Sequence, residues 1–243
     1  MLYKKYEEIL GLRWPVEYAH SFSAPTFGID TDPFLKKYKV ILCNLISVDN
    51  KKFESSVVHE LIHAFLAERI DPAFAGYYYH IVNSVNMSAE QKTTRINKLY
   101  LSWAHVDIWV DELLNKFFPN PMVEENELYV NTLRKMANHR PEELRLPIFY
   151  VPIAIHMAVA SRSKTERGNL SPVFRALGGE LTDLVNKLSD FYTSLHSLSF
   201  NRKNDLLLLE ESVQTSALIQ KFDFVPQLLE EQNSNIPIMR WHI

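Results

Sequence analysis

The sequence predicts an α+β fold that is predominantly helical. Three observations carry that expectation. From about residue 50 onward, long stretches repeat their apolar residues at helical spacing. The chain of 243 residues holds only six glycines, which leaves few positions for the tight turns of an all-β fold. Runs with strand character are confined to the first 46 residues, where Pro25 and Pro33 separate them.

In chain order, a short helix over Leu2–Leu10 leads into three strand candidates, VEYAHSF (Val16–Phe22), TFGID (Thr26–Asp30) and YKVILCNLI (Tyr38–Ile46). After the turn SVDNKK, a helix runs from Phe53 to Ile70 and ends before Asp71-Pro72, because a residue preceding proline avoids the α conformation. The next helix spans Thr93–Phe118 and stops at FPNP. Helices follow over Glu124–Asn138, Pro147–Ser161, Pro172–Leu198 and Asp205–Lys221. The polar stretch SRSKTERGNLSP (Ser161–Pro172) suggests a division into a core of residues 1–160 and a helical C-terminal extension, residues 161–243, packed on it or continuous with it as one domain.

Composition narrows the function. A net charge of −3 with a pI near 6.3 gives no electrostatic reason to expect nucleic acid or an anionic membrane as partner. The single cysteine, Cys43, rules out an internal disulfide and suits a reducing compartment. The N-terminal segment MLYKKYEEILGLRW lacks the apolar core of a signal peptide. The longest apolar run, Leu146–Ala160, is interrupted by Pro152 and His156 and is too short for a membrane span. The expectation is a soluble, cytoplasmic protein.

Chemistry enters at SVVHELIHAF. His59 and His63, four residues apart, leave the same face of the Phe53–Ile70 helix and can direct two imidazole nitrogens at one zinc ion. Glu60 is rotated by about 100°, so it can reach a zinc-activated water as general base without ligating the metal. Apart from Glu60, no charged residue occurs from Ser55 to Ala67. The plain alternative is a helix with two half-buried, hydrogen-bonded histidines.

A catalytic zinc needs a third protein ligand. In LSWAHVDIWVDELLNKFF (Leu101–Phe118), a helical wheel puts Ser102, His105, Glu112 and Lys116 on one side, with Glu112 and Lys116 as an i,i+4 pair in water. Asp107 and Asp111 fall on the other side, among Tyr100, Trp103, Leu114 and Phe118. A carboxylate on an apolar face is costly unless something neutralises or coordinates it. Asp107 as ligand leaves Asp111 one turn on, placed to accept the second ring N–H of a ligating histidine. Rival third ligands are Asp111 itself, Glu112, His80 and His105.

HELIH in its uncharged surroundings resembles the zincin metallopeptidases, and the second helix resembles the gluzincin arrangement, in which an acidic ligand is followed four residues later by a supporting acid or amide. The segment WAHVDIWVD is closer still to metallopeptidase-like domains carrying W-N-x-A-x-D-x-x-(V/I)-N, with Asp107 at the ligand position and Asp111 where those domains have asparagine. The resemblance covers two helices. It implies a zincin-like core of a small sheet, an active-site helix and a third-ligand helix, with bound Zn2+ and a peptide or protein substrate. It also makes YKVILCNLI a candidate substrate-aligning edge, although a continuous apolar run equally suits a central strand. No Gly-x-x-His follows His63, which excludes the metzincin arrangement, and the third ligand is Asp where gluzincins have Glu.

A donor for the developing oxyanion is expected among Tyr78, Tyr79, Tyr150, His156 and Arg140, with none singled out. Two functions stay open at this level. One is a zinc-dependent metallopeptidase with Glu60 as general base. The other is a non-catalytic metal-binding scaffold or interaction protein of zincin fold. A ferritin-like di-metal bundle would need a second E-x-x-H pair beside Glu60/His63, which the sequence does not obviously supply.

Overall fold

A computed structural model of the chain describes residues 3–21, 28–43, 50–76, 85–199 and 202–219. These residues form a mostly helical structure with one three-stranded sheet, as expected. The helices are α1 (Lys4–Leu10), α2 (Asn50–Arg69), α3 (Ala89–Trp103), α4 (Asp107–Phe117), α5 (Pro119–His139), α6 (Pro147–Ser163), α7 (Ser171–Leu177), α8 (Gly179–Thr193) and α9 (Arg202–Ile219). No described helix is long and apolar enough to cross a membrane. Contacts divide the chain into two compact units, one containing the described residues of Met1–Tyr100 and Phe200–Leu209, the other those of Leu101–Ser199 and Glu210–Val225.

In the first unit the strands β1 (Val16–Ser21), β2 (Gly28–Asp32) and β3 (Lys37–Cys43) lie in the order β1-β3-β2. Strand β3 is parallel to β1, pairing Tyr38 with Val16, and antiparallel to β2, pairing Val40 with Ile29. The described part of the apolar run is therefore a central strand, paired on both sides. Residues 37–43 cannot serve as the substrate-aligning edge, and the edges of this sheet are β1 and β2. Tyr38, Val40 and Leu42 turn to the core while Lys39 is exposed.

From Ser55 to Ala67 helix α2 is buried or half-buried on every side, with Val57, Val58, Leu61, Ile62, Ala64 and Leu66 fully buried. Polar bonds fix its position. The Tyr38 hydroxyl donates to the Ala64 carbonyl at 3.2 Å. The Glu68 carboxylate accepts the backbone N–H groups of Arg13 and Trp14, at 2.9 Å each, and the Trp14 ring stacks on Tyr38. At the other end Lys5 and Tyr6 of α1 both donate to Glu54. After α2, a 3-10 turn over Pro72–Ala75 is set by Asp71, whose side chain accepts from the Ala73 N–H at 2.9 Å, and by Gly76 at φ 64°. The Thr31 hydroxyl donates to the Ala75 carbonyl, which joins this turn to the sheet.

In the second unit, α4 packs against α5 and α6, and α6 packs against α8. Residues Val151 and Ile153–Ala160 of α6 are all buried. The single helix expected over Thr93–Phe118 is two helices, α3 and α4, joined by a 3-10 turn at Ala104–Val106. A 3-10 turn advances about 120° per residue instead of about 100°, so one wheel cannot describe both halves. Ser102 and His105, expected in water, are 2% and 0% exposed. The helix expected over Pro172–Leu198 is likewise split at Gly178, whose φ of 83° and ψ of 170° no helix accommodates.

Candidate metal centre

Helix α2 presents His59 and His63, both half-buried, from one face, with Glu60 buried beside them at 9% exposed. The two Nε2 atoms are 3.3 Å apart. Two nitrogens at zinc–nitrogen distances of 2.0–2.1 Å with tetrahedral angles would be about 3.3–3.4 Å apart, so the pair already has the spacing of a shared metal. His63 Nδ1 lies 2.7 Å from the Phe74 carbonyl oxygen. A carbonyl only accepts, so Nδ1 carries the proton and Nε2 keeps its lone pair on the side of His59. Aligned carbonyls of this kind orient metal-binding histidines. The Phe74 carbonyl owes its placement to the 3-10 turn capped by Asp71 and closed by Gly76.

One ligand atom each from His59, His63 and Asp107 lies within 4.8 Å of the other two, so this group could hold a metal ion. All three residues are half-buried. The donor set, two imidazoles and a carboxylate, is one that three-ligand zinc sites use. The residues present thus fit the metal that the motif implies.

No family model, curated protein or solved structure matches the chain. The geometry of the site and the chemistry of its residues therefore carry the functional reading.

Asp107 opens α4 directly from the 3-10 turn, its backbone N–H bonded to the carbonyls of Ala104 and His105. Its charge acts on two tyrosines and a histidine. Burial pushes the Tyr129 and Tyr192 hydroxyls well above the ordinary phenol range, and the Asp107 charge adds to both shifts. His105 is pushed down to about 3 by burial, against the opposing pull of Asp107 and the Ser102 backbone, so its ring is neutral. That ring stacks near Trp103 and meets Trp109 edge-on. His105 is part of the core, not of a wet face.

Glu112 is not paired with Lys116 in water. Its carboxylate accepts from Arg162 Nε at 2.6 Å, and the side chains are 18% and 6% exposed. An arginine 50 residues away was invisible to a local wheel. The expected partner of a ligating histidine's second N–H was Asp111; for His63 that partner is the Phe74 carbonyl. Asp111 is half-buried, and its charge acts on Tyr129 and His156. Among the oxyanion candidates, His156 is a core histidine with Nε2 3.2 Å from the Arg167 carbonyl, and Arg140 is exposed in an ion pair with Glu143. Tyr150 is 2% exposed and pushed up to about 12 by burial. His80, Tyr78 and Tyr79 lie outside the described residues.

The sequence reading missed the Phe74 carbonyl, Tyr129 and Tyr192. A backbone acceptor has no side-chain signature, and only the turn chemistry of Asp71-Pro72 hints at it. Tyr129 and Tyr192 stand in amphipathic helices with nothing in the local pattern to mark them.

Proposed function

We propose that the chain is a zinc-dependent metallopeptidase with a zincin-like core, in which His59, His63 and Asp107 hold Zn2+ and Glu60 is the general base. The observation that carries the reading is the His59–His63 pair, its Nε2 atoms 3.3 Å apart and the His63 tautomer set by the Phe74 carbonyl. Zinc in such a site polarises a carbonyl and lowers the pKa of water towards about 7.

The chain's own residues do the rest. His59 and His63 stand on a helix held by the sheet, by Glu68 and by the turn at Pro72–Ala75, so their rings keep one geometry. Glu60 is buried on α2 beside the two histidines, on the adjoining part of the helix surface. It takes the proton of the attacking water and returns it to the departing amine. Asp107 supplies the anionic ligand, and the Phe74 carbonyl orients the His63 ring. A peptide or protein is the substrate class, since amide hydrolysis needs both polarisation and a nucleophile at neutral pH.

Glu60→Gln tests this. The variant should retain metal at the wild-type level and lose cleavage of a mixed peptide library by at least about a hundredfold. Full metal retention with undiminished cleavage would refute the general base. A metal-loaded wild type that cleaves no library member would favour a non-catalytic scaffold.

A further inference from the structure

Two hydroxyls of the sheet reach the backbone beside His63 and beside its hydrogen-bond acceptor. Thr31 on β2 and Tyr38 on β3 are cross-strand partners, so their side chains leave the same face of the sheet, and both are 0% exposed. The Tyr38 hydroxyl donates to the carbonyl of Ala64, the residue after His63 on α2, at 3.2 Å. The Thr31 hydroxyl donates to the carbonyl of Ala75, the residue after Phe74 in the 3-10 turn. His63 Nδ1 and the Phe74 carbonyl oxygen, 2.7 Å apart, close the circuit between helix and turn. All of these residues belong to the first unit.

A hydrogen bond fixes the orientation of a histidine ring only while both of its ends are held. The turn is four residues long, and its own bonds, from the Ala73 N–H to the Asp71 side chain and from the Phe74 N–H to the Asp71 carbonyl, both at 2.9 Å, set its shape. They do not attach it to the sheet; the Thr31 hydroxyl does. On the helix side the Tyr38 ring is itself held by stacking on Trp14, with ring centroids 5.4 Å apart, and it registers α2 against β3. Side chains of one cross-strand pair start only about 4.5–5.5 Å apart. One such pair therefore sets the separation between the His63 ring and the carbonyl that orients it.

We propose that Thr31 and Tyr38 form the template for the metal ligand His63, Thr31 as the positioning residue for the Phe74 carbonyl and Tyr38 as the positioning residue for the helix. The inference rests on the reading of His63 as a metal ligand. Loss of a group that orients a ligating histidine from outside weakens metal binding by about 10–100-fold. Both hydroxyls act on the same hydrogen bond, so loss of either one already frees the ring.

The test measures zinc affinity of the full-length protein by competition with a chromophoric chelator, and the visible absorption of the Co2+-loaded form, which reports ligand geometry. Thr31→Val and Tyr38→Phe each remove one hydroxyl and keep the shape of the side chain. Each should weaken zinc binding about tenfold and shift the Co2+ bands, and the double variant should lose less than the product of the two. Thr31→Ser keeps the hydroxyl and should show the wild-type bands and an affinity within about twofold of wild type. Val185→Ala truncates a fully buried residue of the second unit, so it destabilises the protein without touching the template and should leave affinity and bands unchanged. Wild-type affinity and bands in Thr31→Val would overturn the proposal and leave the metal site intact, as would an equal loss in Thr31→Ser or in Val185→Ala. Wild type that binds neither ion would overturn the metal reading itself. If Thr31→Val does not fold, Tyr38→Phe decides on the same two readouts: a loss of about tenfold with shifted bands supports the template, and no change overturns it.

Discussion

Replacing Arg162 by methionine should destabilise the protein by about 3 kcal/mol, an effect that a second substitution at Glu112 should largely reverse. Arg162 ends α6 with its side chain 6% exposed and bonds Glu112, 18% exposed, at 2.6 Å. Its guanidinium also donates to the carbonyls of Thr193 at 3.3 Å and His196 at 3.1 Å, to the Leu195 carbonyl, and to the Ser197 hydroxyl at 3.0 Å. Together these acceptors cover the C-terminal end of α8. Breaking a buried pair from one side costs about 3–5 kcal/mol, chiefly because the remaining charge is stranded. Glu112 keeps some contact with water, and His196 and Ser197 are exposed, so the lower end of that range applies. In Arg162→Met/Glu112→Leu no charge is stranded, and most of the loss should return, which gives a coupling of about 2 kcal/mol in a double-mutant cycle. Urea unfolding at pH 7 measures all four corners, and 1 M NaCl should change the coupling little because a buried pair is weakly screened. A cost below about 1 kcal/mol for Arg162→Met, or a double variant no better than the single, would refute the reasoning.

Other outcomes follow from the same geometry. Burial holds the His156 pKa below its unfolded value of about 6.5, against the raising influence of the Arg167 carbonyl and Asp111. The unfolded chain then binds the extra proton first, so the stability that neutral His156 contributes is present above that pH and lost as pH falls. The stability gap between wild type and His156→Gln, read by urea unfolding, should therefore narrow from pH 8 to pH 5; a constant gap would contradict the burial argument. Asp71→Ala removes the cap on the turn that aims the Phe74 carbonyl at His63. It should cost about 1 kcal/mol of stability and weaken zinc binding about tenfold in chelator competition. Unaltered zinc affinity would show that this carbonyl does not orient the ring.

The sequence was most legible where one short rule decides. Spacing alone put His59 and His63 on one helix face, and the cost of a carboxylate on an apolar face drew out Asp107 and Asp111, of which Asp107 lies in one group with them. Pro and Gly punctuation placed most helix ends to within a few residues. Legibility failed where a distant group decides. The wheel put Glu112 in water because Arg162 is 50 residues away, and it put His105 there because a 3-10 turn shifts the phase between α3 and α4. The YKVILCNLI run read equally as edge or centre, since a continuous apolar stretch states burial and not which neighbours provide it. The Phe74 carbonyl and the two buried tyrosine hydroxyls depend on tertiary placement and leave no pattern of their own.

The central claim is that His59, His63 and Asp107 are ligands of one metal ion. Its most direct test is the zinc content per chain, by elemental analysis after exhaustive dialysis, of wild type beside Asp107→Ala. The account predicts about one zinc in wild type and a marked loss in the variant. Wild type without any transition metal would reduce the histidine pair to a hydrogen bond between two rings. Equal zinc in both proteins would remove Asp107 from the ligand set.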